Sequence, residues 1–475
     1  MQPKSAQLSS MRVASIAVLG LALVLGGYLR FAQLGTLEIS ADEGASWAAA
    51  AEPSFGEVLS AQRRLNPAEL GLHDVALHYW IDLFGDSASA MRSLSAAAGL
   101  LALALAYTAT RELFAMDALA ACPARFDEAD LIAALAALLM AVNLVTLKYS
   151  RELRMYPLML AMVLAQVTCF LRSARAATRL SYLGAALFTA LAIAAHPMAL
   201  LAFAAEGVWL IYLLVRHRFG SVHPSTRTLF GLFGALAAGT IVAAMAALPM
   251  LHSGARAAHG NLINWIPRPP LWAPFALFNK ATGSFAFPVI AILAVWGAIR
   301  GWNRWPAATV FALLLMWAPP LALMAVSYAF RPLFVERYLL SSFVPLFMLA
   351  ALGIIELPLI SARIAAVILA VALALGHCHE WSRKTHDTQW REGVRIAIAS
   401  ITSGQSISVA PDYAVNAVRY YLGSAPAVIH AYPLGDSAGQ ILLVADQSKA
   451  PGNANQLLAY PHLLAHLRGV TVRSR

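Results

Sequence analysis

Long apolar runs broken by short polar turns fill the chain up to Gly376. A helix needs about 20 mostly apolar residues to cross the hydrocarbon core, where every backbone group must be satisfied within the segment. Such runs fall near Met11–Phe31, Ala88–Phe114, Leu131–Leu147, Met155–Leu171, Leu180–Ala195 and Met198–Val215. They continue near Leu229–Met250, Phe287–Ile299, Pro306–Ser327, Tyr338–Leu357 and Ile364–Gly376. The pattern predicts about eleven membrane-spanning helices, with His196-Pro197 either parting two spans or kinking one. The first run ends in Tyr28-Leu29-Arg30-Phe31 without a small-residue cleavage site, which predicts an uncleaved anchor.

Beyond Gly376 the runs shorten. Gln389–Ile401 has the pattern of an amphipathic helix, Ser406–Ala410 that of a strand, and Asp412–Leu422 that of a helix opened by a capping Asp. Val428–Tyr432 and Ile441–Ala445 read as strands, and the stretch near Asn455–Leu467 as a helix. Strands alternating with helices predict a small α/β domain. The domain carries no glycine-rich phosphate loop, nucleophile elbow or metal-ligand spacing. The expected fold is thus a polytopic α-helical membrane protein with a C-terminal extracytoplasmic α/β domain. Residues 1–378 form the membrane region, with a first outer loop at 32–87, and residues 379–475 the soluble domain. That domain reads as a lid or acceptor-docking element, with a purely structural role as the alternative.

Composition agrees with this division. Hydrophobic residues make up 60% of the chain and charged residues 12%, and the mean hydropathy is +0.66. That is about half the charge fraction of an ordinary soluble domain. The net charge of +10 is scattered in ones to threes between apolar runs, which excludes a nucleic-acid footprint. Cys122, Cys169 and Cys378 are too far apart for a disulfide framework. His377-Cys378-His379 reads as a helix end at the interface rather than a metal site.

The basic residues also set sidedness. Arg172, Arg175 and Arg179 mark one loop, Arg216, Arg218 and Arg227 a second, and Arg300 with Arg304 a third. As the spans are drawn, all three share the side of the N-terminus, with its Lys4 and Arg12, and the positive-inside rule makes that side cytoplasmic. An odd number of spans then places the C-terminal domain outside, in the periplasm of a Gram-negative cell. The outer side nevertheless carries Arg151 and Arg154 in one turn, Arg256, His259, Arg268 and Lys280 in a long loop, and Arg331, Glu336 and Arg337 in another. Arginines that oppose the sidedness bias need a reason to be there, and binding an anionic group supplies one.

Asp42-Glu43 stands some ten residues beyond the first span, and Ser40 with Glu43 also fits an ordinary capping box. Asp74 and His78 lie four apart and with His73 make a candidate divalent-ion set, against the plainer reading of a polar helix face. The group Arg151-Glu152-Arg154 fits an ion pair flanking a helix start as well as an anion site.

Further runs carry a resemblance. Leu72-His73-Asp74-Val75-Ala76-Leu77-His78-Tyr79-Trp80 precedes Ala90-Met91-Arg92 at the entry to the second span. Tyr149-Ser150-Arg151-Glu152-Leu153-Arg154-Met155-Tyr156 follows the third span, His196-Pro197 ends the fifth, and Glu336-Arg337-Tyr338-Leu339 opens the tenth. Trp390-Arg391-Glu392 and Tyr420-Tyr421-Leu422 follow in the tail. In order and register these resemble the GT-C superfamily of lipid-linked-sugar glycosyltransferases, in particular its bacterial protein-mannosyltransferase and aminoarabinose-transferase branch. Val75-Ala76 stands where Pro-Pro is usual, His78 replaces a Tyr, His73 and Asp74 occupy positions of His or Lys/Glu, and Arg151 replaces a Gln. These departures bear on the donor pocket and the sugar.

The resemblance implies inverting transfer of a sugar from a polyprenyl-phosphate donor to a lipid, polysaccharide or protein acceptor, on the outer side of the inner membrane. It implies Asp42 as general base with Glu43 as its orienting or acceptor-binding neighbour, and Arg154 and Arg337, backed by Arg151, Arg92 and Lys148, on the donor phosphate. His73, Asp74, His78, Tyr149, Glu152, Tyr156 and His196 are the further substrate-contact candidates. No cofactor is implied, and a divalent metal is left open. A lipid-linked-sugar flippase or transporter is the alternative, but its marks are midplane charges and internal repeats, whereas here the charges sit at span ends.

Overall fold

The computed structural model describes residues 4–67, 69–118, 124–217, 224–250, 266–383, 389–401, 406–410, 412–423, 428–431, 441–445, 462–468 and 470–474. Cys122, Arg218, Arg256 and His259 lie outside these residues, as do 455–461 of the helix expected near Asn455–Leu467.

The chain begins with α1 (Lys4–Phe31) and then folds the loop before its next long helix into three short helices, α2 (Ala41–Ala50), α3 (Phe55–Leu65) and α4 (Leu72–Phe84). The membrane region continues with α5 (Ala88–Ala118), α6 (Ala124–Ala141), α7 (Leu144–Ser150), α8 (Tyr156–Ala176) and α9 (Arg179–Ala195). Next come α10 (Leu200–His217), α11 (Thr226–Ala247), α12 (Ala273–Thr282), α13 (Ala286–Arg304), α14 (Pro306–Ala329), α15 (Leu340–Ile355) and α16 (Ile360–Arg383). Among the described residues, nine helices are long and apolar enough to cross a membrane, α6 and α7 form one bent pair, and α9 is a shorter apolar helix. Together they account for the predicted spans. His196 parts α9 from α10, because its extended backbone (φ −163°) ends the helix and its Nδ1 accepts from the amide of Met198 at 3.2 Å.

The third span is broken rather than continuous, with α6 and α7 meeting at 65°. Asn143 is the break: its extended backbone caps α7, its Oδ1 accepts from the Thr146 amide at 3.0 Å, and its Nδ2 donates to Ala281 O at 2.8 Å. A break at this depth strands carbonyls, and each needs a donor. Arg30 donates to Ala141 O at 3.1 Å, Cys378 Sγ to Val142 O at 3.3 Å and Thr146 Oγ1 to Met140 O at 3.2 Å. The result is a short, well-anchored α7 that aims the turn Arg151–Met155 toward Glu43 on α2.

The opposite end of the bundle is a belt of ion pairs. Arg12 donates to Asp127 at 2.6 Å, Arg304 pairs with Glu128 and Glu356, Arg111 with Asp130, and both Arg172 and Arg175 with Glu112. The N-terminal helix and the loops after α8 and α13 therefore share one side, as the basic residues led us to expect.

After α16 comes the C-terminal domain, with α17 (Trp390–Ser400), β1 (Ser406–Ala410), α18 (Val415–Leu422), β2 (Val428–Ala431), β3 (Ile441–Ala445), β4 (His462–Leu467) and β5 (Val470–Ser474). The sheet order is β2-β1-β3-β5-β4, with β1 parallel to β2 and β3, and β5 antiparallel to β3 and β4. Trp390, Val394, Ile407, Val409, Val418, Leu443 and Val472 fill its core. The stretch His462–Leu467, expected to be helical, is a strand. Its ladder with the β-branched run Val470-Thr471-Val472 overrides the local helical preference of Leu and Ala.

Candidate active site

Asp42 lies in the first turn of α2. Ser40 caps the helix: its Oγ accepts from the Glu43 amide at 3.3 Å, and its own amide donates to Glu43 Oε2 at 2.9 Å. The capping box is therefore real, and it coexists with a second use of Glu43. Arg92 Nε donates to Glu43 Oε1 at 2.7 Å and its Nη2 to Oε2 at 2.8 Å, while the Leu153 amide donates to Oε1 at 2.8 Å. Burial pushes this carboxyl up, but the Arg92 charge and these hydrogen bonds outweigh burial and hold it below its ordinary value. The remaining donors of Arg92 go to Leu34 O, Leu37 O and Glu38 O. All five N–H groups of this guanidinium are engaged by the protein itself. Glu43 and Arg92 thus lock α2 to the start of α5 and to the turn after α7.

Arg154 emerges from that turn and reaches under α2. It donates to Asp42 O and Ser46 Oγ, both at 3.1 Å, and to Glu69 Oε1 at 3.2 Å. Its carbonyl accepts from Ser95 at 3.1 Å, and its Nε has no partner among the described residues. Burial alone lowers the proton affinity of a guanidinium; Glu69, followed by Tyr156 and Asp42, reverses this and keeps Arg154 firmly charged. The Asp42 side chain points the other way and is 59% exposed, with its Oδ2 3.5 Å from Arg337 Nη1. Arg337 stands over the rings of Tyr156 and Tyr338, at 5.6 and 5.9 Å. His196 stacks against both tyrosines, at 5.6 and 5.1 Å.

On the next rank, Glu336 accepts from Tyr149 Oη at 2.9 Å and pairs with Lys280 at 2.7 Å and Lys148 at 3.6 Å. Burial pushes the Glu152 carboxyl up to about 7, against the pull of Lys148.

The fold therefore brings Asp42, Arg154, Arg337, Tyr156 and His196 to one place, with Lys148, Tyr149 and Glu152 adjacent. Arg151 turns away, donating to Leu29 O and Gln33 O, and Arg92 is spent on Glu43. His78 binds Ala50 O at 2.9 Å, while His73 Nδ1 and Asp74 Oδ1 pair with each other at 3.1 Å. These three do not converge on one point, and among the described residues no group of three or more His, Cys, Asp or Glu is set to hold a metal ion.

Glu69, Ser46 and Lys280 join the site although sequence reasoning did not single them out as site residues. Glu69 is held by the turn before α4, where Gln62 Nε2 donates to Asn66 O and Glu69 O and Gly71 takes a positive φ of 84°. Burial, reinforced by Asp74 and Asp42 and opposed by Arg154, holds its carboxyl above the ordinary range. Lys280 had one legible signal, as a cation expected on the side where cations are disfavoured.

No protein-family model matches the chain, and no curated protein sequence matches it significantly. Solved structures do. ArnT from Cupriavidus metallidurans bound to undecaprenyl phosphate aligns over 97% of this chain and 97% of its own, with a TM-score of 0.63 at 12% identity. The apo state of the same protein gives a TM-score of 0.63 at 14% identity over the same shares. The Archaeoglobus fulgidus oligosaccharyltransferase in its apo form matches 88% of this chain and 64% of its own, with a TM-score of 0.51 at 11% identity. At these identities the likeness is one of fold, and with the two ArnT structures it extends over nearly the whole of both chains.

Proposed function

We propose that this protein is an inverting membrane glycosyltransferase that moves a sugar from a polyprenyl-phosphate donor to a hydroxyl or amine acceptor at the outer face of the inner membrane. One observation carries the reading. An exposed carboxylate, Asp42, stands 3.5 Å from the Arg337 guanidinium, with Arg154 fixed behind it. That arrangement puts a base and fixed cations into one site, the two kinds of group that sugar transfer from a lipid phosphate needs. The ArnT structure with undecaprenyl phosphate bound supports the same class of donor.

In the proposed step, the acceptor oxygen or nitrogen forms a bond to the anomeric carbon and passes its proton to Asp42. The bond from that carbon to the phosphate oxygen breaks from the opposite face, and the lipid phosphate leaves with the electron pair. Arg337 is the phosphate contact, because it is the more accessible of the two arginines and a planar guanidinium grips phosphate through two parallel bonds. Arg154 adds fixed positive charge and holds α2 in place. Glu43 and Arg92 act on Asp42 through the backbone of α2 and do not touch the substrate.

Asp42→Asn tests this directly. Envelope glycans from cells carrying the variant, read by mass spectrometry, should lose the product by about a hundredfold or more, a range general base removal commonly reaches. Purified variant protein should still bind undecaprenyl phosphate. Product at the wild-type level would overturn the assignment of Asp42.

A further inference from the structure

The C-terminal domain is seated on the helix that carries Asp42. Ala41 packs into the domain's apolar core. At Gly44, an added Cβ would stand 2.5 Å from Ala417 N and 2.9 Å from its Cα, so α18 crosses α2 at backbone contact and only glycine fits. Tyr421 Oη accepts from the Ile39 amide at 2.6 Å, and the Arg391 amide donates to Glu38 Oε2 at 2.7 Å. The Tyr420 ring meets Trp47 edge-on at 5.2 Å, and its hydroxyl donates to Asp86 O at 3.1 Å. The contacts run from Glu38 to Trp47 and bracket Asp42 on both sides.

The turn Asp412–Ala414 also rests on α2. Ala414 goes into the domain core, and Asp412 accepts from the Tyr413 amide at 2.8 Å. This fixes the turn and leaves Tyr413 59% exposed on the turn that rests against α2, the helix whose first turn carries Asp42. Burial, and then the charges of Asp42 and Asp412, hold its phenol above the ordinary value, which agrees with that proximity. The core does not need an exposed aromatic here. An aromatic face beside a carboxylate is a surface on which a sugar ring stacks its C–H face while presenting a hydroxyl.

Building on the reading of Asp42 as base, we propose that Tyr413 is an acceptor-binding residue, and that the C-terminal domain supplies the acceptor wall of the active site for a saccharide acceptor. The acceptor sugar lies on the Tyr413 ring with one hydroxyl toward Asp42. That oxygen attacks the anomeric carbon of the polyprenyl-phosphate-linked sugar, its proton goes to Asp42, and the lipid phosphate departs with the bonding pair.

Full-length Tyr413→Ala and Tyr413→Phe test this with two readouts. The first is binding of undecaprenyl phosphate to purified protein. The second is the envelope product by mass spectrometry, measured separately in the lipid extract and the aqueous polysaccharide so that the two saccharide sources are told apart. Tyr413→Ala should bind undecaprenyl phosphate within twofold of wild type and lose at least tenfold of product in one fraction. Tyr413→Phe, which keeps the ring, should recover at least half of that product. Wild-type product from Tyr413→Ala, an equal loss in both variants, or product and lipid-phosphate binding falling together would each overturn the proposal. Retained product in Asp42→Asn, by contrast, would strike the underlying reading of the base.

Discussion

The pair Glu43–Arg92 carries more of the local structure than the exposed Asp42 beside it. Both side chains are nearly inaccessible and fully hydrogen-bonded. Removing one charge leaves the other buried without compensation, which typically costs about 3–5 kcal/mol. Glu43→Gln should therefore lower the melting temperature in detergent and reduce transfer, whereas Asp42→Asn should reduce transfer with the melting temperature nearly unchanged. The sign with pH follows from the lowered carboxyl: the stabilisation by Glu43 is present above the ordinary carboxylate value and disappears as pH falls through its lowered value. Glu152 behaves oppositely. Its carboxyl is held up near 7, so the native state keeps a proton that the unfolded chain releases, and stability falls as pH rises from about 4.5 to 7. Glu152→Gln should flatten that slope, measured as melting temperature against pH. At this scale Arg154 and Arg337 carried a signal in the sequence, as arginines expected on the side that the sidedness rule leaves poor in them, whereas Asp42 was singled out through the family resemblance. The confinement of Arg92 to Glu43 was not legible, since five hydrogen bonds to four residues between Leu34 and Glu43 leave no mark in spacing. Nor was Glu69, whose approach to Arg154 depends on a turn.

At the scale of elements, the site depends on the broken third span. Had α6 run straight on, Tyr149–Arg154 would follow its axis and would not turn toward α2. Asn143 makes the bend by capping α7 with one side-chain atom and binding α12 with another. Asn143→Ala should cost about 1–2 kcal/mol from the lost cap. Because the bend sets the position of Arg154, it should also weaken undecaprenyl phosphate binding, as titration of purified protein would reveal. Unchanged binding would mean that Arg30, Thr146 and Cys378 hold the bend unaided. Hydropathy recorded an uninterrupted run from Leu131 to Leu147 because Asn143 is a single polar residue among apolar ones. Hydropathy also mistook β4 for a helix, since a short Leu- and Ala-rich stretch has no periodicity that separates the two, and only pairing with β5 decides.

Over the whole molecule, the two ends of the bundle differ in how their charges are used. At one end Arg12, Arg111, Arg172, Arg175, Arg300 and Arg304 are all paired with carboxylates of neighbouring helices. At the other, Asp42 and Arg337 form a looser pair at 3.5 Å, with the Asp42 side chain largely open. The positive-inside rule assigns the first end to the cytoplasm, and the proposed acceptor wall requires the C-terminal domain to stand at the second. Single cysteines in a background lacking Cys122, Cys169 and Cys378 put that orientation to the test. Glu57 on α3, Ser400 on α17 and Arg227 at the start of α11 are all exposed, so each accepts a cysteine without disturbing a packed neighbour. In intact cells with a permeabilised outer envelope, a membrane-impermeant maleimide should label Glu57→Cys and Ser400→Cys. It should reach Arg227→Cys only after the inner membrane is broken. Labelling of Arg227→Cys in intact cells, or protection of Ser400→Cys, would reverse the molecule in the membrane. The carboxylate at Asp42 would then face the cytoplasm, and a donor at the outer surface could not reach it.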